Sequence, residues 1–116
     1  MTQEKRKLTR VQLIYYLRIF DSNTGTNIGH LVDITTEGIM VISEEPVPVN
    51  KDYTFIMHLP KTMSGREKIQ FKAHCLWCRL DINPDFYVSG YRIMEIQPDE
   101  LMTIKALIND YGFKST

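Results

Sequence analysis

The chain has 116 residues, and its 14 lysines and arginines balance its 14 aspartates and glutamates. This length fits one domain with a single hydrophobic core, and 43% hydrophobic with 24% charged residues is typical of a soluble globular protein. A net charge of zero argues against a dedicated binder of DNA or RNA, which needs a broad cationic surface, but it is compatible with a small anionic ligand.

The N-terminal ten residues are polar and basic, so they lack the apolar stretch of a signal peptide. The longest apolar run, residues 11–20, is interrupted by Gln12 and Arg18 and is too short to span a bilayer. Two cysteines, Cys75 and Cys78, fit a reducing compartment and offer no disulfide framework. These features predict a cytoplasmic protein without membrane insertion.

Six strands are predicted from stretches rich in β-branched and aromatic residues, in which apolar and polar side chains alternate. Turn-forming residues separate them, such as the run at 21–25 and the sequence Asn83-Pro84-Asp85, and Ser64-Gly65 marks a further hairpin loop. The predicted strands span about residues 11–20, 27–34, 38–43, 53–59, 69–80 and 86–96. Short connections between six strands favour an antiparallel sheet that closes, or nearly closes, into a barrel.

The last segment changes to a helical period. Pro98 suits the first position of a helix, and Asp99 and Glu100 place negative charge at the positive end of the helix dipole. One apolar stripe then follows, formed by Leu101, Ile104, Ile108 and Tyr111, and Gly112 is suited to end the helix. The predicted organisation is a flexible basic segment, residues 1–10, followed by an all-β domain with one C-terminal helix, residues 11–116.

The basic segment carries two arginines four residues apart, Arg6 and Arg10. In an extended segment or in a helix, this spacing lets both guanidinium groups face one target. Guanidinium groups bind phosphate oxygens with two parallel hydrogen bonds, and they also bind the O6/N7 edge of guanine or stack on its ring. Near a terminus, however, such a pair is more often a solvated basic patch.

A second motif, residues 33–38, lies at the turn between the second and third predicted strands. Asp33 offers a carboxylate that can accept hydrogen bonds from a guanine edge, Thr35 adds a hydroxyl, and Gly38 allows a ligand to approach the backbone. Alone, this pattern is more often a hairpin turn held by a side-chain-to-backbone hydrogen bond.

The order of the two motifs in an all-β chain resembles the PilZ domain, the bacterial receptor module for cyclic di-GMP. The arginine pair precedes the first strand, and the second motif lies between strands two and three. Further similarities are Ala73, Trp77 and Arg79 in the fifth strand and the stretch 88–93, which is centred on glycine and tyrosine. The resemblance covers nearly the whole chain.

The resemblance implies a six-stranded antiparallel β-barrel that holds cyclic di-GMP across one end, with no cofactor. It implies that Arg6 and Arg10 bind the phosphates and guanine faces. It also implies that Asp33, Thr35 and Gly38 hold a guanine edge and shape the turn. Together these five residues are the candidate binding site.

Two residues depart from the family pattern. Thr35 stands where the family usually has serine, and its extra methyl group is stiff and can crowd the ligand. Glu37 places a carboxylate near an expected dianion. Both departures affect the expected affinity, although neither removes a group of the motif.

For several other residues, a structural or solvated role is favoured over a functional one. Cys75 and Cys78 have the spacing of redox and zinc sites, but residues three apart on a regular strand point to opposite faces, so structural cysteines are predicted. Three histidines, His30, His58 and His74, lie on separate strands and predict no metal site. For Trp77, packing in the core is favoured over stacking on a base. Arg79 and Arg92 are expected to be solvated and not to bind the ligand.

The favoured function is a receptor that binds cyclic di-GMP and changes its surface to signal to a partner protein, as a monomer or homodimer. Ordering of the basic segment on the ligand is the expected change. No arrangement of catalytic residues is recognisable, so an enzyme is not expected. The alternatives are a PilZ-like interaction scaffold that binds no nucleotide, and a small barrel that binds single-stranded nucleic acid, against which the zero net charge argues.

Overall fold

The computed structural model describes residues 10–13, 17–60 and 66–115, with side chains for 17–60 and 66–110. The arginine Arg6 and the predicted loop Ser64-Gly65 lie outside the described residues. The elements in chain order are β1 (Arg10–Leu13), β2 (Arg18–Asp21), β3 (Asn27–Ile34), β4 (Gly38–Ser43), β5 (Asp52–His58), β6 (Lys68–Leu80), β7 (Tyr87–Glu95), α1 (Pro98–Tyr111) and β8 (Gly112–Ser115).

Six of the strands form a closed antiparallel barrel, which confirms the predicted fold class. The strands follow one another in the order β2-β5-β6-β7-β4-β3, and β3 pairs again with β2 to close the ring. Closure leaves no free edge within the ring, so the backbone groups of these strands are paired on both sides. β1 and β8 lie outside the ring, where β1 pairs with β3 and β8 pairs with β1.

The first predicted strand, residues 11–20, is wrong as a single element, because it comprises two strands. β2 pairs with the start of β3, with Arg18 opposite His30, whereas β1 pairs with the end of β3, with Val11 opposite Ile34. The register differs by three residues between these two pairings, so one continuous strand is not possible. β8 is not predicted from the sequence; its four residues pair with β1.

The barrel interior is filled by side chains that alternate along each strand. Ile19, Val41, Phe55, Met57 and Ala73 are fully buried there. Phe55 and Tyr91 pack with their rings at 76° and their centroids 5.0 Å apart, an edge-to-face geometry that aromatic pairs favour. This core fixes which face of each strand points outward.

Helix α1 closes against the barrel with an apolar face that contacts β6. Ile104 is fully buried as predicted, and so is Leu107, which lies one turn along the same face. The start of the helix is fixed by Asp99, whose carboxylate lies 2.8 Å from the Arg66 guanidinium, and by Glu100, which accepts a hydrogen bond from the Gln70 amide. No helix among the described residues is long and apolar enough to cross a membrane.

A bulge in β6 reverses the faces of its last residues. Cys75 pairs with Tyr91, but Trp77 pairs with the very next residue of β7, Gly90, so Leu76 is an extra residue in the ladder. Leu76 is accordingly 47% exposed. Because one inserted residue shifts the alternation by one position, residues after the bulge point opposite to the direction that the sequence periodicity predicts.

Candidate functional site

The turn between β3 and β4 is built around the Thr35 hydroxyl. Its oxygen accepts hydrogen bonds from the backbone N–H groups of Glu37 and Gly38, each at 3.1 Å. The Thr35 N–H in turn donates to the Gly38 carbonyl oxygen at 2.9 Å. Threonine hydroxyls often hold turns in this way. The two bonds use the oxygen as an acceptor, so the hydroxyl hydrogen is not consumed by them and can be offered to a ligand.

Asp33 lies on the outer face of the barrel directly before this turn. It pairs with Met40, while the next pair, Ile34 with Ile39, points into the core. Because side chains alternate, Asp33 and Met40 point outward. Asp33 is nevertheless only 6% exposed. The position is therefore a sheltered acceptor site on the barrel surface, next to the Thr35 turn.

The pairing of β1 with β3 brings the backbone at Arg10 close to the second sequence motif. Val11 is opposite Ile34 and Gln12 is opposite Asp33. Arg10 begins β1 and directly precedes Val11, so its backbone lies beside the end of β3, where the Thr35 turn starts. The Arg10 backbone and the Asp33–Gly38 motif, more than twenty residues apart in sequence, are thus neighbours in the fold.

The barrel gives a structural reason for a glycine at position 38. A Cβ atom at this position would lie 2.5 Å from the Tyr91 carbonyl oxygen of β7. The barrel itself therefore requires a glycine here, because a neighbouring strand approaches its backbone closely; a role of Gly38 toward a ligand stays a prediction. Gly38 takes part in the turn through its hydrogen bonds with Thr35.

The outer face beside the turn continues into an aromatic and basic surface. Met40 pairs with Gly90, and Gly90 pairs with Trp77. The Trp77 ring lies flat over Gly90, where a Cβ atom would come within 2.4 Å of it. The Arg79 guanidinium lies 4.4 Å from the centre of the same ring, a distance typical of a cation–π interaction.

Core packing of Trp77 was a wrong prediction, and the bulge at Leu76 is the reason. The prediction placed Trp77 on the face of Ile69, Phe71 and Cys75, which are all buried. The extra residue turns Trp77 to the outside, where it is half-buried. The residues around Leu76 give no sequence signal of this bulge, so periodicity alone could not predict the outward direction of Trp77.

One further arginine reaches the turn from β7. Arg92 is directly opposite Gly38 on one side and opposite His74 of β6 on the other, and it is exposed. Asp33, Met40, Gly90 and Trp77 form one row across the outer face, and Gly38, Arg92 and His74 form the next. The site therefore combines a sheltered carboxylate, a hydroxyl, a flat aromatic ring and exposed guanidinium groups.

The cysteine pair is structural, as predicted, although for a different reason. Cys75 is fully buried, and Cys78 packs against the core and accepts a hydrogen bond from the Val47 amide at 3.4 Å. Both therefore belong to the inner side, because the bulge between them cancels the alternation. Burial, and secondarily the nearby Cys78, raises the pKa of the Cys75 thiol, so it is a poor nucleophile.

The histidines do not converge. The His74 Nδ1 atom lies 2.6 Å from the Asp52 carboxylate, and the His58 ring packs against Phe20. Within residues 10–13, 17–60 and 66–115, no three side chains of the metal-binding types come together.

The comparison with protein families decides the classification. A sequence model of the family described as "PilZ domain" matches residues 3–110. The chain belongs to the PilZ domain family. No curated protein matches this PilZ domain significantly.

Two solved structures share the PilZ fold with this chain. The PilZ domain of YcgR from Escherichia coli, solved with c-di-GMP, matches with a TM-score of 0.69 at 11% identity, over 93% of this chain and 92% of that one. The Bacillus subtilis inhibitor of motility, MotI/DgrA, matches with a TM-score of 0.68 at 15% identity, over 93% of this chain. This PilZ domain spans only 54% of the Bacillus chain.

Proposed function

We propose that this PilZ domain is a cytoplasmic, non-catalytic receptor that binds cyclic di-GMP on the outer face beside the Asp33–Gly38 turn. The observation that carries the proposal is the β1–β3 pairing, which brings the start of β1, at Arg10, beside Asp33 and Thr35. The relative solved with c-di-GMP, YcgR, supports the choice of ligand. The guanidinium, carboxylate and hydroxyl groups of the site can each bind a chemical group of cyclic di-GMP.

The proposed role of each residue in binding follows from the chemistry of its side chain. Arg6 and Arg10 contact the phosphates and guanine faces, because guanidinium groups bind phosphate and the guanine O6/N7 edge with paired hydrogen bonds. Asp33 accepts hydrogen bonds from the guanine N1 and N2 donors, and Gly38 holds the turn. The remaining hydrogen of the Thr35 hydroxyl donates to the ligand, and the exposed faces of Trp77 and Arg92 border the same surface.

The signal to a partner protein arises at the start of β1. Engagement of Arg6 and Arg10 fixes the basic segment against the outer face, which changes the surface that a partner contacts. A receptor of this kind shifts a population of surface states and needs no catalysis.

One observation favours the alternative, an interaction scaffold that binds no nucleotide. Thr35 and Gly38 both have duties within the turn and the barrel, so their presence does not require a ligand. The two hypotheses differ in whether the arginines and Asp33 contact a nucleotide.

Isothermal titration with cyclic di-GMP separates these hypotheses. We expect saturable binding by the wild type, and its loss in Arg6→Ala/Arg10→Ala. Asp33→Asn, which keeps the shape but removes the charge, is expected to weaken binding about 10- to 100-fold, since hydrogen bonds to charged groups contribute about 1.5–3 kcal/mol. The matched control is Lys5→Ala/Lys7→Ala, which removes equal charge from the same segment and should retain binding.

Three outcomes contradict the receptor. Absence of heat at high ligand concentration with the folded wild type would favour the scaffold. Equal binding of an unrelated oligonucleotide would favour a general binder of single-stranded nucleic acid, and equal losses in the arginine and lysine double variants would indicate simple charge attraction.

A further inference from the structure

A cleft of about 540 Å³ opens at the end of the barrel opposite the Asp33–Gly38 turn. It lies where β3 begins and β4 ends, and it is bounded by the β4–β5 loop, residues 44–51, and by Phe86 of the β6–β7 hairpin. We call it the distal cleft. Its volume is in the range of clefts that bind small molecules or single side chains of a partner.

The floor and walls of the distal cleft are apolar and firmly held. Ile28, Ile42 and Val47 line it, and Tyr53 lies among them with its hydroxyl donating to the Pro48 carbonyl oxygen at 2.8 Å. The loop is tied down at its other end by Ser43, whose hydroxyl donates to the Glu45 carbonyl oxygen at 2.7 Å. These bonds hold the loop as one wall, so the cleft is a formed feature of the fold.

The rim of the distal cleft is acidic. Asp21, Glu44 and Glu45 line it together with a single lysine, Lys51. Both glutamates are exposed. His30 also lines the cleft. Three carboxylates against one lysine and one histidine around an apolar floor favour an occupant that is itself apolar in the middle and positively charged on both sides.

Exposed aliphatic side chains also lie on the loop and the hairpin that bound the cleft. Val49 is 44% exposed on the loop, while Leu80 is 52% and Ile82 is 100% exposed where β6 runs into the hairpin. Exposed apolar side chains on the elements that bound the cleft are compatible with a protein contact at this end of the barrel. The exposed guanidinium of Arg92 beside Gly38 lies at the opposite end, so the two ends of the barrel have different chemistry.

We propose that the distal cleft binds a segment of a partner protein in which an aliphatic or aromatic side chain lies between lysines or arginines. The apolar side chain enters the cleft, and its basic neighbours meet Glu44 and Glu45 on the rim. This site is separate from the nucleotide site of the proposed function and does not depend on it. Its test therefore uses the full chain without nucleotide.

The test is an NMR titration of the isotope-labelled full chain with three acetylated, amidated hexapeptides. The probe is Lys-Lys-Leu-Phe-Lys-Lys, and the two comparison peptides replace its lysines by glutamate or its Leu-Phe pair by Gly-Gly. We expect saturable amide shifts confined to the distal cleft, with a dissociation constant in the range of about 0.1–1 mM, typical of a weak contact. Binding by each comparison peptide should be at least about tenfold weaker, which corresponds to 1.4 kcal/mol.

Charge reversal on the rim supplies the second arm. Glu44→Lys/Glu45→Lys should weaken probe binding at least about tenfold, whereas the matched reversal Glu67→Lys/Glu95→Lys, also at exposed positions, should leave it unchanged. Retention of the amide spectrum shows that each variant is folded.

Four results would overturn the proposal. The first is the absence of amide shifts at about 5 mM probe, where a 1 mM site is mostly filled, and the second is amide shifts outside the distal cleft. The third is equal binding by the Gly-Gly peptide, which would indicate charge attraction alone. The fourth is a concentration-dependent shift of the cleft amides without peptide, which would indicate a second copy of the chain as the occupant. A failure here leaves cyclic di-GMP binding untouched, since that is measured separately.

Discussion

At the scale of single residues, the turn between β3 and β4 shows how one position can serve both the fold and a ligand. Thr35 uses its oxygen to close the turn and keeps its hydroxyl hydrogen. Gly38 is required because the Tyr91 carbonyl oxygen occupies the space of a side chain. Asp33 points to the outer face directly before this turn and is 6% exposed, so its substitution is the most direct test of the proposed binding.

Gly38→Ala is expected to lower the free energy of unfolding by about 1–3 kcal/mol, since a Cβ atom would press on backbone that cannot move aside easily. Urea denaturation followed by circular dichroism measures it. The control is Gly25→Asn, at a φ of 76° with no atom within 4 Å of its Cβ, where a loss under about 1 kcal/mol is expected. Unchanged stability of Gly38→Ala with loss of cyclic di-GMP binding would show that Gly38 serves the ligand alone.

At the scale of elements, the bulge in β6 decides the character of the outer face. It turns Trp77 outward over Gly90 and turns Cys78 inward against the core. Without the extra residue Leu76, the ring would point into a barrel already filled by Phe55 and Tyr91. A single inserted residue therefore supplies the flat aromatic surface that borders Asp33 and Met40.

Gly90→Ala should push the Trp77 ring away from the sheet, because the new Cβ atom would lie 2.4 Å from it. Trp77 is the only tryptophan of the chain, so its fluorescence reports this directly. We expect emission to shift to longer wavelength as the ring gains contact with water. Met94→Ala, at an exposed position of the same strand, is the control and should leave emission unchanged. An unshifted spectrum in Gly90→Ala would contradict the described contact.

At the scale of the whole molecule, the closed barrel buries ionisable groups in their neutral forms. Burial raises the pKa of Tyr91 far above its ordinary value of 10.0, against the opposing effect of its hydrogen bond with Ser89. Burial also raises the pKa of Cys75 above its ordinary value of 9.0 and that of Tyr53 above 10.0. In the unfolded chain these groups release protons at their ordinary values, whereas in the barrel they keep them.

Stability should therefore fall as the pH rises above about 9. The unfolded state then binds fewer protons than the folded state, and the free energy of unfolding decreases with pH in that case. Urea denaturation at a series of pH values between about 7 and 10.5 measures the slope. Tyr91→Phe should be less stable at neutral pH, because it loses the bond to Ser89, but should show a shallower decline above pH 10. An equal slope in both proteins would contradict the buried, neutral state of Tyr91.

Much of the fold follows from local patterns. Five of the six predicted strands and the helix from Pro98 lie where the structure has them, because alternation, turn residues and dipole charges act within a few residues. The sequence also identified Asp33, Thr35 and Gly38 as one turn. It could not separate β1 from β2, anticipate β8 or orient Trp77, since each depends on which strand lies alongside.

By itself, the sequence determined an all-β domain with a C-terminal helix, the two motifs and the resemblance to PilZ domains. Only the tertiary structure decided that β1 pairs with the end of β3, which brings Arg10 to the Asp33–Gly38 turn, and that the distal cleft exists. The physical reason is the sequence separation of the residues that interact. Side-chain periodicity and turn chemistry are properties of neighbouring residues, whereas strand register, bulges and clefts depend on contacts between segments far apart in the chain.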